Sequence, residues 1–262
     1  MKRTVLGRTG LDVPAFVIGT AQLAYVTPDK GLSILRRGME LGANWWDTSD
    51  DYGTYSLIAR AMVDYPREQL VISTKTSALS QFEGHAAIRQ AMQTFQTDYL
   101  DIMFLHHVQD EYDLVRRRGC LDALLQAKED GTLRAIGLSS HFHSIIKAAA
   151  EIPAIDVVMA PWNIHGRLPS GGSPVEMERA IHACYDAGKG VVLMKLLADG
   201  LLVPLLDEAI VGGARFTHKH ALNIGVRTIT ELETDIRLCI GEPVDLSILA
   251  HLKSNHRLKR AA

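Results

Sequence analysis

The chain has 262 residues, of which 47% are hydrophobic and 22% are charged, a composition typical of a globular protein with one sizeable core. Its 28 lysines and arginines nearly balance its 30 aspartates and glutamates, and the net charge of -2 gives no electrostatic reason to expect binding to nucleic acid or to a membrane. Cys120, Cys184 and Cys239 show none of the close spacings that hold zinc or an iron–sulfur cluster. Because we find no signal-peptide pattern and no apolar run of about 20 residues, we expect a soluble, cytoplasmic protein.

Short apolar runs alternate with helical patterns along the chain. A turn from Gly7 to Gly10 predicts a β-hairpin within residues 1–14. Strands are predicted at residues 15–18, 44–46, 70–74, 100–105, 133–138, 155–160, 190–194 and 221–224. Helices are predicted from Pro28 to Gly42 and at residues 55–63, 84–95, 114–128, 144–150, 175–187, 201–210, 228–239 and 243–256, the one at 201–210 being the least clear. This alternation predicts an α/β fold, a (β/α)8 TIM barrel with a short N-terminal β-hairpin and a C-terminal helix, in a single domain over residues 1–262.

Three consecutive predicted strands end in residues that can exchange protons. Asp47 ends the second strand, Lys75 the third and His106 the fourth, while Tyr52 follows Asp47 by five residues. The carboxyl ends of barrel strands meet at one face, where enzymes of this fold carry out their chemistry. His107 competes with His106, and strand alternation predicts that one of the two is turned away. The four residues form a candidate acid–base cluster.

A set of motifs, in order and at consistent spacing, connects the chain to a known family. They are Leu6-Gly7-Arg8-Thr9-Gly10-Leu11, Ile18-Gly19-Thr20, Asp47-Thr48-Ser49 with Tyr52-Gly53, Ser73-Thr74-Lys75, the segment from Asp98 to His106, the segment from Gly131 to Ser139, and the segment from Gly188 to Lys195. With these motifs the sequence resembles the aldo-keto reductase family over nearly its whole length. The resemblance implies an NADP-dependent oxidoreductase, with NAD possible, that reduces an aldehyde or ketone to an alcohol by hydride transfer.

The same resemblance carries a catalytic tetrad onto Asp47, Tyr52, Lys75 and His106. Hydride transfer to a carbonyl needs a proton donor at the oxygen, and a tyrosine with a pKa near ~10 holds its proton at neutral pH. We expect the Lys75 ammonium to lower the pKa of Tyr52, Asp47 to position Lys75, and His106 to orient the carbonyl or assist the proton relay. Each residue alone would be explained by capping, packing or surface exposure; only their joint placement favours catalysis.

Cofactor contacts are implied at a further set of positions. The nicotinamide side is implied to involve Gly19, Thr20, Asp47, Ser139 and Ser140, the pyrophosphate side Lys195, Leu196, Gly200 and Leu201, and the adenosine side Gly225, Arg227, Thr228 and Asp235. Arg227 and Thr228, at the start of a capped helix, favour NADP over NAD because a helix N-terminus beside an arginine suits a phosphate.

Several of these positions depart from the family pattern. Ser140 stands where Asn is common, and Met159 stands where Gln is common, so the carboxamide of the nicotinamide is expected to be held differently. Asp199 brings a negative charge to the pyrophosphate segment and is expected to point away from it. Trp162 is expected either near the nicotinamide and substrate or packed at the barrel rim, and His107 is a second substrate-lining candidate.

Three interpretations of function remain open from the sequence. The favoured one is a reductase with a small-molecule carbonyl substrate, no metal, an open pocket formed by short loops, and a monomeric or small homo-oligomeric state. The second is a nucleotide-binding barrel with a sensor or regulatory role and little turnover. The third is a barrel isomerase or lyase that uses the acid–base groups without a nicotinamide.

Overall fold

The polypeptide begins with an antiparallel hairpin and then closes a parallel barrel in the computed structural model, which describes residues 1–254. The hairpin pairs β1 (Arg3–Val5) with β2 (Asp12–Pro14). The barrel strands, in chain order, are β3 (Phe16–Gly19), β4 (Trp45–Asp47), β5 (Val71–Thr76), β6 (Leu100–Leu105), β7 (Leu133–Ser139), β8 (Val157–Pro161), β9 (Gly190–Met194) and β10 (Ala221–Gly225). Each strand pairs in parallel with the next, and β10 pairs with β3 to close the ring.

Helices surround the barrel, and most of them bury an apolar face. They are α1 (Pro28–Glu40), α2 (Tyr55–Met62), α3 (Gln81–Phe95), α4 (Glu111–Arg116), α5 (Arg118–Glu129), α6 (His143–Glu151), α7 (Pro174–Asp186), α8 (Leu206–Arg215), α9 (Ile229–Ile240) and α10 (Leu246–Ser254). One layer of the core lies between helices and strands, and a second, smaller layer fills the barrel interior. Within residues 1–254, every helix falls short of the length and apolar character that crossing a membrane demands.

The predicted TIM barrel, with its hairpin and C-terminal helix, is confirmed, but several helices have boundaries that differ from those predicted. The helix predicted at 114–128 is divided into α4 and α5 at Arg117, because the Arg117 guanidinium donates to the His106 carbonyl and the Cys120 amide donates to Leu79 across the break. The seventh helix begins at Leu206, after two short 3-10 turns, the second of which contains Pro204. The C-terminal helix begins at Leu246 rather than 243, and its predicted last two residues lie outside the described part of the chain.

The hairpin covers the amino-terminal end of the barrel. Leu6 and Leu11, in its turn, join the interior layer of the core, and the Arg8 amide donates to the Gly188 carbonyl just before β9. Gly7 has a φ of +51° and lies so close to β9 that a Cβ atom there would come within 2.3 Å of the Gly190 nitrogen. The closed end leaves the opposite face, formed by the carboxyl ends of the strands, as the place for a site.

Candidate active site

Asp47, the last residue of β4, is the centre of a buried polar network. Its Oδ2 accepts from Lys75 Nζ at 2.6 Å, and its Oδ1 accepts from Ser73 Oγ at 2.6 Å. Trp45 Nε1 donates to the same Ser73 hydroxyl at 2.9 Å. Asp47 and Lys75 are each only 2% exposed. A buried ion pair persists when additional hydrogen bonds satisfy both groups, and this network supplies them.

Lys75 presents its ammonium group to the base of a cleft. Nζ donates to the Thr48 carbonyl at 2.7 Å and lies 4.9 Å from the centre of the Tyr52 ring. Burial acts to lower the pKa of Lys75, but the nearby Asp47 and Tyr52 outweigh it and raise that pKa above its usual range. Lys75 is therefore a cation at neutral pH.

Tyr52 is half-buried above Lys75, at the wall of the cleft. Burial raises the pKa of its phenol, the Lys75 charge lowers it, and Asp47 raises it again, with a net rise above the usual range. The expected lowering by Lys75 is therefore present, but it is smaller than the rise that burial causes. Tyr52 keeps its proton firmly at neutral pH.

His106 lies beside Tyr52 just after β6. Its ring meets the Tyr52 ring edge to face at 5.7 Å, and its Nδ1 is 3.1 Å from Ser49 Oγ and 3.7 Å from the Asp51 carboxylate. Burial and the Lys75 charge lower the pKa of His106 to about 4, so the imidazole is neutral at physiological pH.

His107 also faces the cleft, contrary to the expectation that one of the two histidines is turned away. Because β6 ends at Leu105, both histidines lie in the following turn, where strand alternation no longer applies. His107 has a left-handed φ of 51° and packs edge to face on His141 at 4.6 Å. Burial lowers the pKa of His107, and it lowers that of His141 to about 3.

The cleft has two connected lobes that share Tyr52, Met194, Lys195 and Asp199. We call the larger one, of about 540 Å³, the histidine lobe; its walls include Lys75, His106, His107, Ser139, Ser140 and His141. We call the smaller one, of about 140 Å³, the glycine lobe; its walls include Gly19, Gln22, Met159, Leu196, Asn223 and Gly225.

The comparison with known families agrees with this geometry. Residues 15–229, which are most of the chain, match the sequence profile of the aldo/keto reductase family. The chain belongs to this family.

Curated relatives of this aldo/keto reductase family member are distant. It is 26% identical over 226 residues to the uncharacterized oxidoreductase YqkF of Bacillus subtilis (strain 168), a match covering 80% of this chain and 69% of that one. It is 30% identical over 152 residues to methylglyoxal reductase DkgB of Escherichia coli O157:H7, covering 56% of this chain and 55% of that one. The chain thus spans little more than half the length of several of the relatives that it matches.

Solved aldo-keto reductases share the fold. The holo form of AKR11C1 from Bacillus halodurans superposes with a TM-score of 0.78 at 21% identity, and the alignment covers 100% of this chain and 97% of that one. Likeness at this level of identity speaks to the fold alone. It agrees with the hairpin, barrel and helices described above.

Seven of the cofactor positions implied by family resemblance line the cleft: Gly19, Asp47, Ser139, Ser140, Lys195, Leu196 and Gly225. The two serine hydroxyls already have partners. Ser140 Oγ donates to the Val108 carbonyl at 2.6 Å and accepts from the Phe142 amide, and Ser139 Oγ accepts from the His107 amide at 3.1 Å.

Thr20, Trp162 and Asp235 do not line the cleft. Thr20 is fully buried, and its hydroxyl donates to the Asp47 carbonyl at 2.9 Å, which fixes the position of β4 rather than a ligand. The Trp162 ring packs on Phe216 at 5.0 Å, and its Nε1 donates to Glu178, because the loop after β8 directs the side chain outward. Barrel-rim packing, the other interpretation of Trp162, describes what is observed.

Asp235, Gly200 and Leu201 were also expected to contact the cofactor, and all three lie away from the cleft. Asp235 is fully buried on α9, so contact with an adenine ring would first require that the residues covering it move. Leu201 is 67% exposed, and neither it nor Gly200, which turns the chain with a φ of 98°, lines either lobe.

Asp199 does line the cleft, so the expectation that it points away was wrong. Its carboxylate pairs with Lys195 Nζ at 2.6 Å. The backbone φ of Asp199 is 54°, a left-handed conformation, and the residue lines both lobes. That conformation is not apparent from sequence because Asp tolerates it without requiring it.

Arg227 and Thr228 are not among the residues that line the glycine lobe, but they follow Gly225, which lines it, by two and three residues. Arg227 Nε donates to Gln22 Oε1 at 2.9 Å, and the guanidinium lies 5.0 Å from the Tyr25 ring centre. Thr228 caps α9 by accepting from the Glu231 amide at 3.1 Å. Gly19 and Gly225 line this lobe, and α9 begins shortly after Gly225. The backbone amides at a helix N-terminus, beside an arginine, can bind a phosphate group.

Asn223, in the middle of β10, belongs to the site although the sequence did not suggest it. Its Nδ2 donates to Asp47 Oδ2 at 2.7 Å and approaches Met159 Sδ at 3.5 Å. The sequence did hold one signal for it, a polar residue inside a short apolar strand. Alternation places Asn223 on the same side of β10 as Ala221 and Gly225. Among the described residues, no group of three or more His, Cys, Asp or Glu side chains could hold a metal ion.

Proposed function

We propose that this chain is an NADP-dependent oxidoreductase that reduces an aldehyde or ketone to an alcohol, with Tyr52 as the proton donor. One observation carries the proposal: the buried Asp47–Lys75 pair lies directly beneath Tyr52, with His106 against the same ring. A protonated phenol over a fixed ammonium is suited to giving a proton to an oxygen on which negative charge develops.

Each residue has a distinct task in this proposal. NADP, when bound, supplies the hydride, because no side chain can do so. Tyr52 gives its proton to the substrate oxygen, and the Lys75 ammonium stabilises the phenolate that remains. Asp47 keeps Lys75 charged and in place, and neutral His106 offers a hydrogen bond that orients the carbonyl.

The preference for NADP over NAD rests on Arg227 and the start of α9, which follow β10 beside the glycine lobe. Arg227 and the N-terminus of α9 together favour a 2′-phosphate, and Lys195, in the wall of both lobes, supplies a cation for the pyrophosphate. NAD would use the same lobe without the contribution of Arg227. Binding of NADPH is therefore expected to be tighter than that of NADH.

A regulatory nucleotide-binding barrel with little turnover is the second candidate. Its support is the nicotinamide side of the cleft, where the hydroxyl groups of Ser139 and Ser140 are already engaged and Met159 offers only a weak acceptor. A nicotinamide held by few direct contacts would spend less time in a reactive orientation.

The histidine lobe suits a small polar carbonyl compound. Three imidazoles and three serines line it, whereas the Trp162 ring packs elsewhere. Methylglyoxal is the first substrate to test, because the relative DkgB is named a methylglyoxal reductase and the molecule is small and polar.

We also infer that residues 1–262 form one domain, because the hairpin supplies side chains to the barrel interior. Burial raises the pKa of the Cys120 and Cys184 thiols to about 12, and such inert, unpaired thiols are compatible with the proposed cytoplasmic location.

Binding and turnover together test the proposal. Intrinsic fluorescence is followed during titration with NADPH and NADH, and oxidation of NADPH is then measured with methylglyoxal and a panel of aldehydes and ketones. Tight NADPH binding with turnover supports the reductase. Binding without turnover of any carbonyl would favour the regulatory role, and absence of binding to either nucleotide would leave the isomerase or lyase interpretation.

A further inference from the structure

The segment that follows β9 holds an ion pair at the junction of the two lobes. Lys195 Nζ and Asp199 Oδ1 are 2.6 Å apart, and both residues belong to the walls of the histidine lobe and of the glycine lobe. Side-chain exposure is 21% for Lys195 and 42% for Asp199, so the pair is in contact with the solvent that fills the cleft. A ligand that enters either lobe meets this pair.

The backbone of this segment is held in an uncommon conformation. Lys195, Ala198 and Asp199 have φ values of 62°, 46° and 54°, all in the left-handed region that residues other than glycine avoid. The Asn163 amide donates to the Lys195 carbonyl at 3.3 Å and helps to hold the turn. Such clusters occur where the fold requires a particular side-chain placement, here the approach of Asp199 to Lys195.

The position of Asp199 is electrostatically unusual for a wall that receives phosphates. A carboxylate repels a phosphate, and it also occupies the lysine that would otherwise bind one. The ammonium has three N–H donors, but the paired carboxylate cancels much of the charge that would attract a phosphate. The pair therefore has to be weakened or opened before Lys195 can serve a phosphate fully.

We propose that Asp199 is a built-in competitor that holds Lys195 when the cleft is empty of nucleotide and yields it to the cofactor pyrophosphate on binding. This rests on the proposed nicotinamide-nucleotide function. The competitor weakens the affinity for oxidised and reduced cofactor alike, and it speeds cofactor release because Asp199 recaptures Lys195 as the phosphates leave.

A purely structural role for the ion pair makes the opposite prediction. If Asp199 serves only to anchor the turn, its replacement loosens the segment and leaves nucleotide affinity unchanged or weaker. Asn at position 199 has nearly the same shape as Asp and tolerates a left-handed φ, so it removes the charge and retains the turn. A second variant, Asp199→Gly, accommodates the same φ and tests the same charge should the Asn variant fold poorly.

The experiment compares dissociation constants of NADPH and NADH for the wild type and Asp199→Asn by fluorescence titration at several salt concentrations. We expect Asp199→Asn to bind both nucleotides at least about fivefold more tightly, with a steeper loss of affinity as salt rises. Lys195→Gln is expected to weaken binding more in the Asp199→Asn background than in the wild type, because only there is the lysine free for the phosphate.

Asp51→Asn is the matched control. Asp51 lines the histidine lobe without contacting a lysine, so its substitution removes the same charge from the cleft and is expected to change affinity by less than about twofold. Equal tightening by Asp51→Asn, unchanged or weaker binding by Asp199→Asn, or tightening of NADPH alone would overturn the competitor role at the pyrophosphate. If the wild type binds neither nucleotide, the proposed function itself is rejected, and the competitor role with it.

Discussion

Asp47 accepts hydrogen bonds from residues of two strands, the adjacent β5 and the more distant β10. Ser73 and Lys75 donate from β5, and Asn223 donates from β10, on the other side of β3. A carboxylate that is almost completely buried requires such donors, because an ionised group without them is costly to remove from water. The position of Lys75 beneath Tyr52 therefore depends on residues that never touch a substrate.

Asn223→Leu tests this dependence. The change removes one donor to Asp47 and keeps a similar volume, so we expect kcat to fall about 10- to 100-fold, in line with the ~1.5–3 kcal/mol of a hydrogen bond to a charged group. Because Asn223 also lines the glycine lobe, kcat is measured at saturating NADPH. Ser73→Ala, which removes the donor to the other oxygen, is the comparison variant; a Leu variant with wild-type kcat would show that Asn223 does not support Asp47.

The sequence predicted the members of the acid–base cluster because each follows or ends a strand, where position relative to the barrel is known in advance. Asp47, Lys75 and His106 needed only the register of their strands. The directions of Trp162 and Asp199 were missed because each depends on the path of a loop. No local pattern announces a run of left-handed residues or an outward turn after a strand.

At the scale of elements, the N-terminal hairpin is held to the barrel by backbone contact. Gly7 lies against the start of β9, and no side chain fits between the two. The hairpin supplies Leu6, Leu11 and Val13 to the interior layer, so its docking closes that end of the core.

Gly7→Ala is expected to lower the free energy of unfolding by about 2–4 kcal/mol, because the new Cβ meets the backbone of β9 and the φ is left-handed. Gly10→Ala, in the same turn, is the control: its φ is +73° but nothing lies within 4 Å of the added atom, so only the conformational cost of about 1 kcal/mol applies. Chemical denaturation measures both. Equal losses for the two variants would show that hairpin docking is not tight.

The strands were predicted closely because buried parallel strands are short, continuous apolar runs with turns on either side. The division between α4 and α5 was not predictable, because its cause is the contact of Arg117 with the His106 carbonyl, which lies on another element. The shift of α8 had a partial signal in Pro204, which cannot continue a helix from the preceding residues.

At the scale of the whole molecule, histidines that are neutral in the fold make stability sensitive to acid. The pKa values of His106 and His141 are lowered from 6.5 to about 4 and about 3. Between pH 6.5 and these values the unfolded chain binds protons that the folded chain does not, so the free energy of unfolding decreases as pH falls through this window.

His141→Gln is expected to make this decrease shallower, because one of the protons that favours unfolding is removed. Urea denaturation at pH 7.5, 5.5 and 4.5 measures the effect. The free energy of unfolding at pH 7.5 serves as the reference, because residue 141 is mostly uncharged there in the wild type and in the variant. Parallel decreases for the variant and the wild type would show that His141 is not held neutral by the fold.

The hairpin closes one end of the barrel, and the acid–base residues meet at the other, where Tyr52 is proposed to give up its proton. The most direct test compares kcat and NADPH affinity of Tyr52→Phe with those of the wild type, on a carbonyl compound that the wild type reduces. We predict retained NADPH affinity, within about threefold, and a fall in kcat of about 10²- to 10⁴-fold, the usual contribution of a general acid. Equal kcat values in the two proteins would show that Tyr52 is not the proton donor.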